Sequence, residues 1–298
     1  MARLRFTKGH GTENDFVLLL DERGEIDLTP ALVRYLCDRR AGIGADGVIR
    51  AVRSGSLPAG AGLDARTWFM DYWNADGSTS EMCGNGARVF AAFLEREAGA
   101  DLTGGLTIAT RGGTRTLTAL EDGRYAVGMG EFRTGDDPGG FDAEVEAEGL
   151  NPPRPALSVD VGNPHHVVAL ASMDELESLD LTKAPRVTPV PPAGSNVEFV
   201  VTRGGEVRDG IERGRVRMRV HERGSGETRS CGTGACAVAI AVKTWAGDGS
   251  PDVWDIEVPG GVVTVRIHGN RTVLEGPATL VADGEVDVSA VPATVAAG

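Results

Sequence analysis

Apolar and polar positions along this chain form two matching series. Residues 66–73 and 215–222 each alternate apolar and polar side chains, the period of a strand with one buried face. A loop of small residues follows each, and each loop ends in a cysteine. Helices are expected next, over roughly residues 87–97 and 235–245. The second opens Ala235-Cys236-Ala237-Val238-Ala239-Ile240-Ala241-Val242, apolar on every face, and so belongs inside the protein rather than on a surface. Its first charge is Lys243, near the end, where a cation suits the helix dipole. Gly99 and Gly247 stand at the same relative place as C-terminal stops, and two strands with a turn follow around Gly112-Gly113 and Gly260-Gly261. A helix buried this fully needs sheet around it. The pattern predicts an α/β fold of two pseudo-symmetric domains, each a mixed β-sheet curled around a central buried helix.

The spacing supports duplication. Cys83-Gly84-Asn85-Gly86-Ala87 recurs 148 positions later as Cys231-Gly232-Thr233-Gly234-Ala235, and Met70/Met218 and Ile108/Ile256 keep the same offset. Asn14 and Asn163 pair at an offset of 149. An offset held across strand, loop, helix and hairpin marks two homologous halves. The expected division is residues 1–132 for the half carrying Cys83 and 133–275 for the half carrying Cys231. Residues 133–155, rich in Gly, Pro and acids, are expected to form a linker, and 185–192 a Pro-rich loop. The tail from Ser289, mostly Ala, Val and Pro, is expected to lack order.

Composition narrows the partners. Thirty Lys plus Arg against 43 Asp plus Glu give a net charge of −13, which disfavours nucleic acid or an anionic membrane. No stretch approaches a membrane span and the N-terminus lacks a secretory apolar run, so a cytoplasmic protein with a small-molecule substrate is expected. A homodimer stays open. Four cysteines without C-x-x-C spacing suit neither a disulfide framework nor a zinc site, and no metal is expected.

Cys83 and Cys231 each precede Gly-x-Gly-Ala and a helix, so each sits where free N–H groups and the dipole favour an anion. With a pKa near ~8.5, only about 3% of a free thiol is ionised at pH 7, so this setting matters for a base. The same N–H groups, those of Gly84, Asn85, Gly232 and Thr233, can hold a carboxylate. Two related halves offering one cysteine each suit proton transfer at an amino-acid α-carbon: a thiolate takes the proton from one face while a thiol delivers one to the other. No cofactor is expected, because Gly84-Asn85-Gly86 is too incomplete for a dinucleotide fingerprint and no Lys has a pyridoxal setting. A lone cysteine is most often a small buried apolar residue, and that is the expectation for Cys37 and Cys236.

Six segments carry a family resemblance: residues 10–16 (HGTENDF), 74–78 (NADGS), 82–88 (MCGNGAR), 162–165 (GNPH), 222–224 (ERG) and 231–235 (CGTGA). Together, from about residue 5 to residue 280, they make the chain resemble the diaminopimelate epimerases. The resemblance implies interconversion of LL- and meso-2,6-diaminopimelate on the path to lysine and peptidoglycan, with the last strand region, within 276–298, returning to the first domain. It implies Cys83 and Cys231 as catalytic acid–bases. Asn14, Asn74, Asn163, Asn196 and Arg223 resemble ligand-contacting side chains, and Gly84, Asn85, Gly232 and Thr233 the carboxylate-binding backbone. His165 and Glu222 resemble residues that tune the cysteines, Glu222 also lying at the ligand. A bidentate cation such as Arg223 suits a carboxylate. Gly47 departs from relatives that carry Gln there.

Other cysteine-pair racemases, acting on proline, hydroxyproline or histidine, are the nearest rivals. A monocarboxylate needs no second clamp, which argues against them given Asn85 and the set Asn74, Asn163, Asn196 and Arg223. A redox dithiol would not need anion-binding helix starts, and cysteines in both halves disfavour an inactive binding module.

Overall fold

The computed structural model describes residues 3–135, 140–289 and 291. Residues 136–139 of the expected linker, and 290 and 292–298 of the expected tail, lie outside them. The chain opens with β1 (Arg3–Gly11), β2 (Asn14–Leu20), α1 (Pro30–Cys37), β3 (Gly47–Arg53) and β4 (Trp68–Asn74). It continues through α2 (Gly84–Ala98), β5 (Leu106–Thr110), β6 (Gly113–Ala119) and β7 (Tyr125–Glu131). Next come β8 (Arg133–Thr134), β9 (Ala143–Glu146), β10 (Arg154–Asp160), β11 (Pro164–Ala169), α3 (Met173–Glu177) and β12 (Arg186–Thr188). Then follow β13 (Asn196–Arg208), β14 (Ile211–Glu222), β15 (Gly226–Thr228), α4 (Gly232–Ala246), β16 (Val253–Val258), β17 (Gly261–His268), β18 (Arg271–Gly276) and β19 (Thr279–Asp287).

Two compact units result, one of residues 1–127 with 277–298 and one of 128–276. In the first the strand order is β19-β1-β2-β3-β4-β5-β6-β7. The β2–β3 and β4–β5 pairs are parallel and the others antiparallel. In the second the order is β8-β10-β11-β13-β14-β16-β17-β18, with β11–β13 and β14–β16 parallel. The two sheets therefore match strand for strand and direction for direction. Within the first unit α2 packs on β1–β4, β6 and β19; within the second α4 packs on β10, β11, β13, β14 and β16–β18. Each helix is enclosed by its own mixed sheet, as the apolar faces of α4 require.

Both helices begin three residues before the sequence pattern places them. Gly84-Asn85-Gly86 and Gly232-Thr233-Gly234 are poor helix formers, but the cysteine caps decide where the helix starts. Gly99 ends α2 in the left-handed region at φ 60°, a conformation only glycine adopts cheaply. The expected linker is corrected by the structure: residues 133–155 carry β8, β9 and the start of β10, with β9 pairing both β10 and β12. The Pro-rich loop at 185–192 likewise contains β12. These strands are two to four residues long and contain no proline or glycine, which lie in the segments flanking them, so they are too short to show a period.

The outer faces of the sheets are covered too. Val17, Leu19 and Val48 pack with Leu32, Val33 and Leu36 of α1, while Val197, Phe199 and Val201 pack around α3 with Leu176, Leu179 and Leu181. Strands buried on both faces read as continuous apolar runs, as Phe16-Val17-Leu18-Leu19 does.

One charged cluster lies inside the first sheet. Arg50 on β3 and Asp71 on β4 are direct cross-strand partners and both are buried. Arg50 Nε and Nη2 lie 2.8 and 2.5 Å from Asp71 Oδ2, Arg50 Nη1 donates to the Ile26 carbonyl at 2.8 Å, and Asp71 Oδ1 accepts from Trp73 and Arg111. Breaking such a pair leaves a buried charge short of partners. Arg50→Met is expected to destabilise the protein by about 3 kcal/mol in urea unfolding at unchanged m-value. A variant within about 0.5 kcal/mol of the parent would show that Arg111 and Trp73 satisfy Asp71 without Arg50.

Candidate active site

In the first unit Cys83 is the N-cap of α2, with extended backbone (φ −137°, ψ 120°), and its Sγ accepts the Gly86 N–H at 3.3 Å. The side chain is partly buried, and Sγ lies 3.6 Å from Asn14 Oδ1. That oxygen also accepts from Asn85 Nδ2 at 3.3 Å. Asn14 is oriented from behind: its Nδ2 donates to Asp46 Oδ2 at 2.8 Å, which turns the amide oxygen toward the thiol. Asp46 in turn is held by Arg39, which bridges to Asp15, and Asp15 is paired with Lys8. Buried Arg88 donates to Asn85 Oδ1 at 3.0 Å and to Thr12 Oγ1 at 3.2 Å, so the first turn of α2 is clamped from its own second turn. Asn74 ends β4, where its Nδ2 bonds Ser78 Oγ at 3.0 Å across a turn.

In the second unit Cys231 caps α4 in the same way, Sγ accepting the Gly234 N–H at 3.3 Å and lying 3.5 Å from Thr233 Oγ1. The surroundings differ. Asn163 Nδ2 reaches Thr233 Oγ1 at 3.5 Å, and Asn163 Oδ1 lies 3.0 Å from His165 Nε2. His165 Nδ1 lies 2.7 Å from Glu198 Oε1, and Asn196 Nδ2 is 3.5 Å from His165 Nε2. Asn196 Oδ1 accepts the Arg223 backbone N–H at 2.9 Å; the exposed Arg223 guanidinium bonds the Ala193 carbonyl at 2.7 Å and keeps further N–H groups for a ligand. Glu222, at the end of β14, accepts from Thr228 Oγ1 and interacts with the Cys231 thiol.

The structure thus gathers Asn14, Cys83 and Asn85 in one cluster and Asn163, His165, Asn196, Glu222, Arg223, Thr233 and Cys231 in another. Gly84 and Gly232 open the two helices, where first-turn N–H groups have no carbonyl four residues back. Sequence reasoning missed Asp46 and Glu198. Glu198 was detectable as the single charge inside Val197–Val201, an otherwise apolar run. Gly47 has a spatial reason: a Cβ there would lie 2.5 Å from the Trp73 carbonyl and 2.6 Å from Tyr72 Cε2. No side chain fits at that position in this packing.

Burial and nearby charge act together on Cys231. Burial pushes the Cys231 thiol well above its ordinary value, and the Glu222 and Glu198 carboxylates push it further, against the bonds from Thr233 and Gly234. Burial also raises the Glu222 carboxyl, with the Thr228 bond opposing. Cys37 is pushed up to about 12, chiefly by burial, which fits a packing role. Cys236 is wholly buried in α4. Among the described residues no group of three or more His, Cys, Asp or Glu could hold a metal, and no helix is long and apolar enough to cross a membrane.

A raised thiol pKa has a sign that stability can test. Below pH ~8.5 folded and unfolded thiols are both protonated and the term is constant. As pH rises further the unfolded chain loses the proton that the fold retains, so stability falls by about 1.4 kcal/mol per pH unit for each such thiol. Cys37→Ala should therefore reduce the slope of unfolding free energy against pH by about that amount between pH ~9 and ~11. Equal slopes in urea titrations of both proteins would mean Cys37 ionises freely in the fold.

The family model for diaminopimelate epimerase matches residues 6–134 and 157–281. Diaminopimelate epimerase of Streptomyces coelicolor is 47% identical over 294 residues, covering 96% of each chain. That of Rhodococcus jostii is 46% identical, covering 95% of this chain and 96% of its own. Among solved structures, a predicted epimerase from Pseudomonas aeruginosa superposes with a TM-score of 0.64 at 16% identity, covering 95% of this chain and 99% of its own. A hydroxyproline epimerase from Agrobacterium vitis does so with a TM-score of 0.61 at 15% identity, covering 96% and 91%. At such identities the structures establish the fold, whereas the family match and the close relatives span nearly the whole chain. With two cysteine-capped buried helices in matching sheets, the chain belongs to the diaminopimelate epimerase family.

Proposed function

We propose that this protein interconverts LL- and meso-2,6-diaminopimelate by passing protons through Cys83 and Cys231. The observation that carries the proposal is the duplicated cap: in each unit a cysteine at the start of a buried helix has its sulfur bonded by the backbone N–H three residues on. Inverting one α-carbon needs a base on one face and an acid on the other. The substrate α-carboxylate would be held by the first-turn N–H groups around Gly84, Asn85, Gly232 and Thr233, which also stabilise charge as the proton leaves. Asn14, Asn74, Asn163 and Asn196 supply neutral donors and acceptors for the second amino-acid centre, and Arg223 a bidentate partner for its carboxylate. We propose the cytoplasm as its compartment, where thiols stay reduced.

The surroundings of Cys231 support one choice of starting states. With burial, Glu222 and Glu198 all opposing its ionisation, Cys231 rests as the thiol and delivers a proton. Cys83 then removes one as the thiolate. After one turnover Cys83 carries the proton and Cys231 is the thiolate, the state from which the reverse reaction begins.

Wild-type protein freed of small molecules should form the meso isomer from the LL isomer in D2O and incorporate deuterium at the inverted carbon. Cys83→Ala and Cys231→Ala should each lose at least ~10³-fold in turnover, and Cys236→Ala little. Exchange of proline or histidine with diaminopimelate inert would move the assignment to another racemase. Glu222→Gln removes a charge that disfavours the Cys231 thiolate, so the basic limb of kcat/KM should move to lower pH by about 1 unit. An unmoved limb in protein that binds substrate normally would leave Glu222 as a ligand contact only.

A further inference from the structure

β13 divides its side chains between two environments. Val197, Phe199 and Val201 enter the apolar layer around α3, so Asn196, Glu198 and Val200 point by alternation toward α4. Glu198 is 0% exposed at a position whose surroundings ask for an aliphatic side chain. Its Oε1 lies 2.7 Å from His165 Nδ1 and presses on the first turn of α4, where a Cβ on Gly234 would come within 2.6 Å of it. Its Oε2 is buried and has no hydrogen-bond partner. A half-satisfied carboxylate in a core costs stability, and well-packed apolar replacements at such sites are often neutral or stabilising. The nearby N-terminus of α4 offsets only part of that cost. Packing therefore gives no reason for this side chain.

The reason lies in what it holds. A carboxylate only accepts, so at 2.7 Å the proton between the two belongs to His165 Nδ1. With Nδ1 held by Glu198, the ring orientation is set and Nε2 stands 3.0 Å from Asn163 Oδ1, to which it donates only when it carries a proton, and 3.5 Å from Asn196 Nδ2. Asn163 continues to Thr233 and Thr233 to Cys231, each at 3.5 Å. We infer that Glu198 is a positioning residue for the Cys231 half of the site, acting through His165 to orient the two amides beside the thiol. This rests on Cys231 being one of the two proton carriers. The titratable groups around the His165 ring are Glu198 on β13, Glu222 on β14, Cys231 on α4 and the neighbouring His166 on β11.

The test is a cycle of Glu198→Gln and Glu198→Met, alone and in a His165→Asn background. Both single variants should fold, Glu198→Met with a Tm at or above that of the parent; Glu198→Gln, nearly isosteric, carries the cycle if the Met variant does not fold. Each should lower kcat/KM by ~10–100-fold and shift its pH profile, because a misplaced second layer disturbs reacting geometry. Adding either to His165→Asn should cost nothing more, since the two act as a unit. Protein labelled with ¹⁵N in histidine should show a downfield His165 Nδ1 proton that disappears in Glu198→Met, a signal read without substrate. An inactive parent would sink the assigned reaction while that signal still judges Glu198. Stable Glu198 variants with parental kinetics and pH profile, losses that multiply with His165→Asn, or an unchanged ring spectrum would each overturn the inference.

Discussion

A helix buried along its length must also begin inside the protein, and its first N–H groups then have neither water nor a carbonyl to bond. In both units a cysteine sulfur takes the place of the missing acceptor, 3.3 Å from the N–H of Gly86 and of Gly234. The remaining organisation follows from that constraint. The apolar sides of α2 and α4 need sheet around them, which requires the matching order of mixed strands. The helix start is then a place where polar backbone stays available inside an apolar shell. A thiol suits such a cap because it tolerates burial as a neutral group and gains from the same N–H bond when ionised.

Duplication supplied one backbone plan and two electrostatic ones. Beside the Gly86 N–H, Cys83 meets the neutral Asn14 amide, and the ions Asp46, Arg39, Asp15 and Lys8 stand one step behind that amide with opposite signs alternating. Around Cys231 two carboxylates approach the sulfur itself. Near-identical cap geometry thus meets different surroundings, a neutral amide beside Cys83 and carboxylates beside Cys231.

The repeat was legible because it rests on backbone demands. Gly86 and Gly234 permit close packing at the helix starts, a Cβ on Gly86 lying 3.0 Å from Ile49 Cδ1, and the apolar run of α4 admits only an interior helix. What escaped the sequence lacks a local signature. β8, β9 and β12 are too short for a period. α1 runs only from Pro30 to Cys37, too short to stand out by its pattern. Asp46 and Glu198 act on neighbours 32 and 33 residues away, so no spacing rule connects them to Asn14 or His165. The chemistry nearest the cysteines is written in motifs; the support behind it is written in tertiary pairing.

β1 pairs with β2 on one side and with β19, from the far end of the chain, on the other. All of unit two, residues 128–276, lies between them in sequence. On the ribosome the half made first is therefore the half completed last. Until Thr279–Asp287 emerges, β1 is an open sheet edge, a template for pairing with the wrong strand. The contiguous second unit has all of its strands available earlier and can consolidate while the first waits. Loss of the final strand would consequently harm the beginning of the protein, exposing Arg3–Gly11 and one side of α2 while leaving the neighbouring unit its full complement of strands.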